Sequence, residues 1–160
     1  MNNQLISQYL YQTKELFGDT LYFKNNNKDI NFHEIGSEKS DIVFITSFFS
    51  NKDEELMFDK ILSALNLSKS KIFLIKCKNE KILKNSKLKS LINQLDSKTI
   101  ITLGTKISQF ILDTKEDLEN LRDKKNFINN MIIIPTYSIQ DVKKDISFKR
   151  HLWNDLKVIL

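Results

Sequence analysis

Hydrophobic positions along the chain alternate between two periods. Residues 3–17 carry Leu5, Ile6, Tyr9, Leu10, Leu16 and Phe17 at helical spacing with Gly18 as a stop, which predicts an amphipathic opening helix. In "TLYFKNNNKDINFHEI", residues 20–35, two short aromatic and β-branched runs flank an Asn-rich turn, so a hairpin or a pair of short edge strands is expected. After "GSEKS" the pattern changes. "DIVFITSFF" has almost no polar alternation, as a strand covered on both faces requires. "NKDEELMFDKILSALNL" then sets Leu56, Ile61, Leu62 and Leu65 on one helical face, with Asp53, Glu54 and Glu55 complementing the dipole of the first turn.

The alternation repeats. "KIFLIKC", "KTIITLG" and "MIIIP" read as strands, and "KSLINQL", "KISQFILD" and "SFKRHLWNDLKVIL" as helix segments. Strands alternating with helices specify an α/β domain with a mainly parallel sheet and right-handed crossovers. No Pro- or Gly-rich linker divides the 160 residues, so one domain is expected, with 1–35 as an N-terminal helix and hairpin and 36–160 as the core.

Composition narrows the chemistry. The single cysteine, Cys77, has no internal partner, and His33 and His151 are far apart, so neither a disulfide nor a clustered metal site is expected. A reducing, cytoplasmic setting fits, and no apolar run approaches the length of a membrane span. The net charge of +5 permits contact with nucleic acid, yet the lysines are spread along the chain, and a solvated basic surface explains them equally well.

In open parallel sheets ligands bind outside the carboxyl ends of the strands, so the segments after each apolar run hold the candidates. These are "TSFFSNKDEE", "KCKNEK", "GTK" and "PTYSIQD". With three glycines the chain has neither a phosphate loop nor G-x-G-x-x-G, and the nucleophile elbow G-x-S-x-G is missing. Asp53, Glu54 and Glu55 read first as dipole-complementing acids, and Cys77 as a small buried thiol.

The order of strand-end residues nevertheless resembles a family. "SDIVFITSFFS", the Lys76-Cys77 pair closing the second strand, the Leu103-Gly104 turn before a Gln-containing helix, and "MIIIPTYSIQD" ahead of "W-N-D-L" together resemble the uracil-DNA glycosylase superfamily. The likeness is greatest to its family 4 bacterial and archaeal branch and runs from about Gly36 to the C-terminus. It implies a three-layer α/β/α domain around a central parallel sheet of four strands, with a site that accepts an everted base.

The departures fall on the chemistry. Where the family's first strand runs into G-E-x-P-G, this chain has Thr46, Ser47, Phe48, Phe49 and Ser50, which puts Ser47 at the acid position. A following pocket-shaping stretch is deleted. After P-T-Y the family's His-Pro-Ser is replaced by Ser138, Ile139 and Gln140, and the four cluster-binding cysteines are reduced to Cys77. No iron–sulfur cluster and no other cofactor is therefore expected.

The resemblance thus implies a glycosylase scaffold without its reaction, working in DNA replication or repair through protein partners and DNA backbone contacts. The psi subunit of bacterial DNA polymerase III, a clamp-loader connector similar in fold to these glycosylases, is the parallel. The alternative is a divergent active glycosylase. In it Asp53, Glu54 or Glu55 would orient water, Phe48 or Phe49 would stack on the base, and Lys76 or Lys78 would contact phosphate. Ser47, Tyr137, Ser138 and Gln140 would line the pocket. A third reading is an interaction module docking through Leu5, Tyr9 and Leu10 or through Leu21, Tyr22 and Phe23.

Overall fold

A computed structural model describes residues 32–78 and 86–160. The expected opening helix, and the hairpin up to residue 31, lie outside the described residues. From Phe32 the elements run β1 (Phe32–Gly36), β2 (Ile42–Ser47), α1 (Lys52–Ala64), β3 (Phe73–Cys77) and α2 (Ser86–Gln94). There follow β4 (Thr99–Leu103), α3 (Thr105–Ile111), α4 (Leu118–Arg122), β5 (Asn126–Ile128), β6 (Met131–Thr136), α5 (Ile139–Lys144) and α6 (Phe148–Leu156). A 3-10 turn, Lys157–Ile159, continues α6.

The fold is α/β, and the six strands form one mixed sheet in the order β1-β3-β2-β4-β6-β5. Its four interior strands are mutually parallel, and antiparallel β1 and β5 close the two edges. The sheet is therefore two strands wider than the four expected. β1 coincides with the second run of the expected hairpin or short edge strands, and β5, with only three residues, escapes an apolar-run criterion. β1 is seated closely on β3: Gly36 has φ +98°, and a Cβ there would lie 2.1 Å from the Ile72 carbonyl oxygen. Only glycine satisfies both constraints.

Each face of the sheet carries its own apolar core. On one side Val43, Ile45, Phe73, Ile75, Ile100 and Ile133 pack with Leu88 and Ile92 of α2 and Ile107 and Ile111 of α3. On the other, Phe44, Leu74, Ile101 and Leu103 pack with Phe58 and Leu62 of α1, Leu118 of α4, Val142 of α5 and Leu152 and Leu156 of α6. Residues alternate between the cores along each strand, which is why β2 to β4 read as unbroken apolar runs.

α1 corrects one expectation. Its buried face is Glu54, Phe58 and Leu62, with Phe58 edge-on to Phe44 at 5.4 Å, whereas Leu56 is 52% exposed. Leu56 follows Glu54 by two residues, about 200° around the helix, and so points away from the sheet. The helix has two apolar stripes: one is buried in the core, and on the other Met57 and Ile61 pack partly against it while Leu56 is left exposed.

Candidate functional site

Chain order places β3 on one side of β2 and β4 on the other, so a crevice is expected outside the carboxyl ends of β2 and β4. Three turns meet there: the β2–α1 loop, Gly104 after β4, and the β6–α5 turn. Gly104, at φ +107°, donates its N–H to the Thr136 carbonyl at 2.8 Å, and a Cβ on it would lie 3.3 Å from that of Ser138. The β4 and β6 turns thus touch along one side of the crevice.

A polar network joins the β2 side to the β6 side. Asn51 caps α1 by accepting from the Glu54 N–H at 3.1 Å, which turns the Glu54 side chain back into the loop. Glu54 is 4% exposed, and its Oε2 accepts from the Ser50 N–H at 2.8 Å and from Gln140 Nε2 at 2.7 Å. Gln140 also donates to the Phe48 carbonyl at 3.3 Å and accepts from Ser47 Oγ at 3.4 Å. Three residues singled out from sequence, Ser47, Glu54 and Gln140, are brought together, and they spend their polar atoms on one another. A buried polar group that keeps such partners is a structural tie.

Ser138 is committed as well. It is buried at the N-cap of α5 in a reciprocal capping box: its Oγ accepts from the Asp141 N–H at 3.0 Å, and Asp141 Oδ2 accepts from the Ser138 N–H at 3.1 Å. Asp141 Oδ2 also accepts a hydrogen bond from the Ser138 hydroxyl at 2.6 Å. "PTYSIQD" is therefore a helix start, announced by the S-x-x-D spacing of a capping box.

Tyr137 points into the core rather than the crevice. Its ring stacks on Phe148 at 4.2 Å, Arg122 lies 4.9 Å from the ring centroid, and its hydroxyl donates to Glu119. Burial, and then the neighbouring Glu119 carboxylate, push its phenol up to about 12. The same hydrogen bond holds Glu119 below the usual carboxylate range.

The remaining candidates divide by exposure. Phe49 packs on Phe58 at 5.4 Å, and Lys76 Nζ sits 4.9 Å over its ring and 3.6 Å from Glu55. Phe48 and Lys78 stay at the surface, and Asp53 faces away from the crevice on the outer side of α1. Cys77 is buried at the end of β3, which pushes its thiol up to about 12 and keeps it protonated at neutral pH.

One cluster was not singled out from sequence. Asp155, the acid of "W-N-D-L", accepts from Arg122 through both oxygens, at 2.7 and 3.0 Å, and from Thr136 Oγ1 at 2.6 Å. It ties α6 to α4 and to the end of β6, so "P-T-Y" and "W-N-D-L" form one structural unit. Among the described residues no group of His, Cys, Asp and Glu has metal-binding geometry, and no helix is long and apolar enough to cross a membrane. No protein-family model matches the chain, and no curated protein matches it.

Proposed function

We propose that the chain is a non-catalytic protein with a glycosylase-like fold, acting in DNA replication or repair through protein partners in the manner of a psi-like connector. One observation carries the reading: the crevice positions that would hold an acid and an electrophile are occupied by Ser47, bonded to Gln140, and Ser138, bonded to Asp141. Ser138 is spent on a helix cap, and the nearest buried acid, Glu54, accepts two donors from its own protein. A carboxylate with an oxygen doubly engaged and sealed from solvent is poorly placed to orient an attacking water. Replacing a donor aimed at developing negative charge costs about a hundred- to a thousandfold in rate. The four parallel interior strands with helices on both faces also support the scaffold part of the reading. Contact with a DNA backbone would run through Lys78 beside Phe48, the two candidates left at the surface of this end.

The test is incubation with duplex and single-stranded oligonucleotides carrying uracil or hypoxanthine, followed by cleavage of abasic sites. No abasic product is expected; robust excision would end the proposal.

A further inference from the structure

The outer stripe of α1 does not face empty surface. With α6, and with Val142 of α5 in its lining, it forms a groove of about 490 Å³ whose walls are mainly apolar. Leu56, Met57 and Ile61 form one wall and Trp153 the other, and Leu56 and Trp153 remain 52% and 37% exposed. Lining positions on α1 recur at 53, 56, 57, 60, 61 and 64. That is a full helical face, the ridge-and-groove surface against which another helix packs. Both walls are framework helices whose opposite faces are in the core, so the groove is preformed and needs no rearrangement to receive a partner.

Charge selects the occupant. Lys60 and Lys149 line the groove, and neither side-chain ammonium has an ion-pair or hydrogen-bond partner among the described residues, unlike those of Lys69, Lys89, Lys98 and Lys124. Asp53, at the start of α1, is the one acid lining it. An apolar trough flanked by two unpaired ammonium groups complements an apolar helical stripe flanked by carboxylates.

We propose that this groove binds an amphipathic α-helix of a protein partner, its apolar stripe on Leu56 and Trp153 and its acidic residues on Lys60 and Lys149. The proposal deepens the partner-binding reading above and rests on it.

Trp153 is the only tryptophan in the chain and lies in the groove, so its emission reports occupancy directly. The full chain is titrated with a tryptophan-free helical peptide of about fourteen residues, long enough to span α1. The peptide carries leucines at i, i+3, i+4 and i+7 flanked by glutamates; a second peptide carries lysines in place of the glutamates. A saturable blue shift is expected with the glutamate peptide, bound about tenfold or more tightly than the lysine peptide. The double variant K60E/K149E should reverse that preference, and Leu56→Arg should abolish the shift while circular dichroism stays native.

Three results would overturn the proposal: no saturable shift with the glutamate peptide, equal affinity for both peptides, or self-association in sedimentation accompanied by a concentration-dependent blue shift of Trp153 emission without peptide, which would make the occupant a second copy. Any of these without uracil excision moves the partner to another surface, whereas excision removes the non-catalytic reading itself.

Discussion

Arg122→Met takes away the cation that holds α6 to α4 while keeping most of the side-chain volume. Arg122 and Asp155 have side chains 9% and 14% exposed, joined through two hydrogen bonds of 2.7 and 3.0 Å. Removing one member of a buried pair leaves the other charge desolvated, at a cost of about 3–5 kcal/mol. Asp155 keeps the Thr136 hydroxyl as a donor and retains some contact with water, which draws the figure to the lower end. Loss of the cation over the Tyr137 ring adds about 0.5–1 kcal/mol. The arm to Glu119, whose side chain is 63% exposed, adds little. A loss of about 3 kcal/mol follows, or roughly 10 °C in Tm for a domain of this size. Urea unfolding followed by circular dichroism should show a lower midpoint with an unchanged slope. In a cycle with Asp155→Asn the pair should couple by about 2 kcal/mol. A single-variant loss below about 1 kcal/mol, the scale of a surface pair, or simple additivity in the cycle, would refute this role for the Arg122–Asp155 pair.

Other expectations follow from the same geometry. Ser138→Ala removes a buried cap and should cost about 1–2 kcal/mol in urea unfolding; an unchanged midpoint would return Ser138 to the list of available groups. Gly36→Ala forces a Cβ to 2.1 Å from the Ile72 carbonyl oxygen at φ +98° and should cost at least about 2 kcal/mol. Near-native stability there would show that β1 is not seated on β3. Cys77 and Tyr137 are acids whose folded pKa values lie above their ordinary 9.0 and 10.0. Their stabilisation is complete below those ordinary values and is lost as pH rises toward about 12, because the unfolded chain releases the protons first. Unfolding midpoints measured across that range should fall less steeply for Cys77→Ala than for the parent; identical slopes would place the thiol in solvent.

The parallel interior of the sheet was legible because β2, β3 and β4 are buried on both faces, and β6, despite the exposed Ile132, is an apolar run bounded by polar turns that leaves few other assignments. Of the edges, β1 falls in the second run of the expected hairpin or short edge strands, whereas β5 is too short to carry a period. Leu56 was assigned to the covered face because apolarity marks a stripe without saying which of two stripes meets the sheet; here Phe58 decides, and Glu54 joins it. At the crevice, Ser47, Glu54 and Gln140 could be named, but not that Gln140 bonds Glu54 from 86 residues away. The Arg122–Asp155 pair is hidden for the same reason, since 33 residues separate the partners and no local spacing records the contact. The start of α5 is different, because S-x-x-D was present in "SIQD" and needed only to be read as a cap.

The strand order also sets when the chain can fold. β2 lies at the centre of the sheet, yet one of its two neighbours is β4, with Val43 paired to Ile100 and Phe44 to Ile101. β4 in turn waits for β6, where Ile100 meets Ile133. During synthesis the apolar segment "IVFIT" leaves the ribosome well before either of the later strands exists, and parallel pairings of this separation close slowly. Phe44 and Ile45, wholly enclosed in the finished domain, are thus the side chains a growing chain must shield longest. Prolonged exposure of this segment during synthesis is a direct cost of placing β2 in the middle of the sheet.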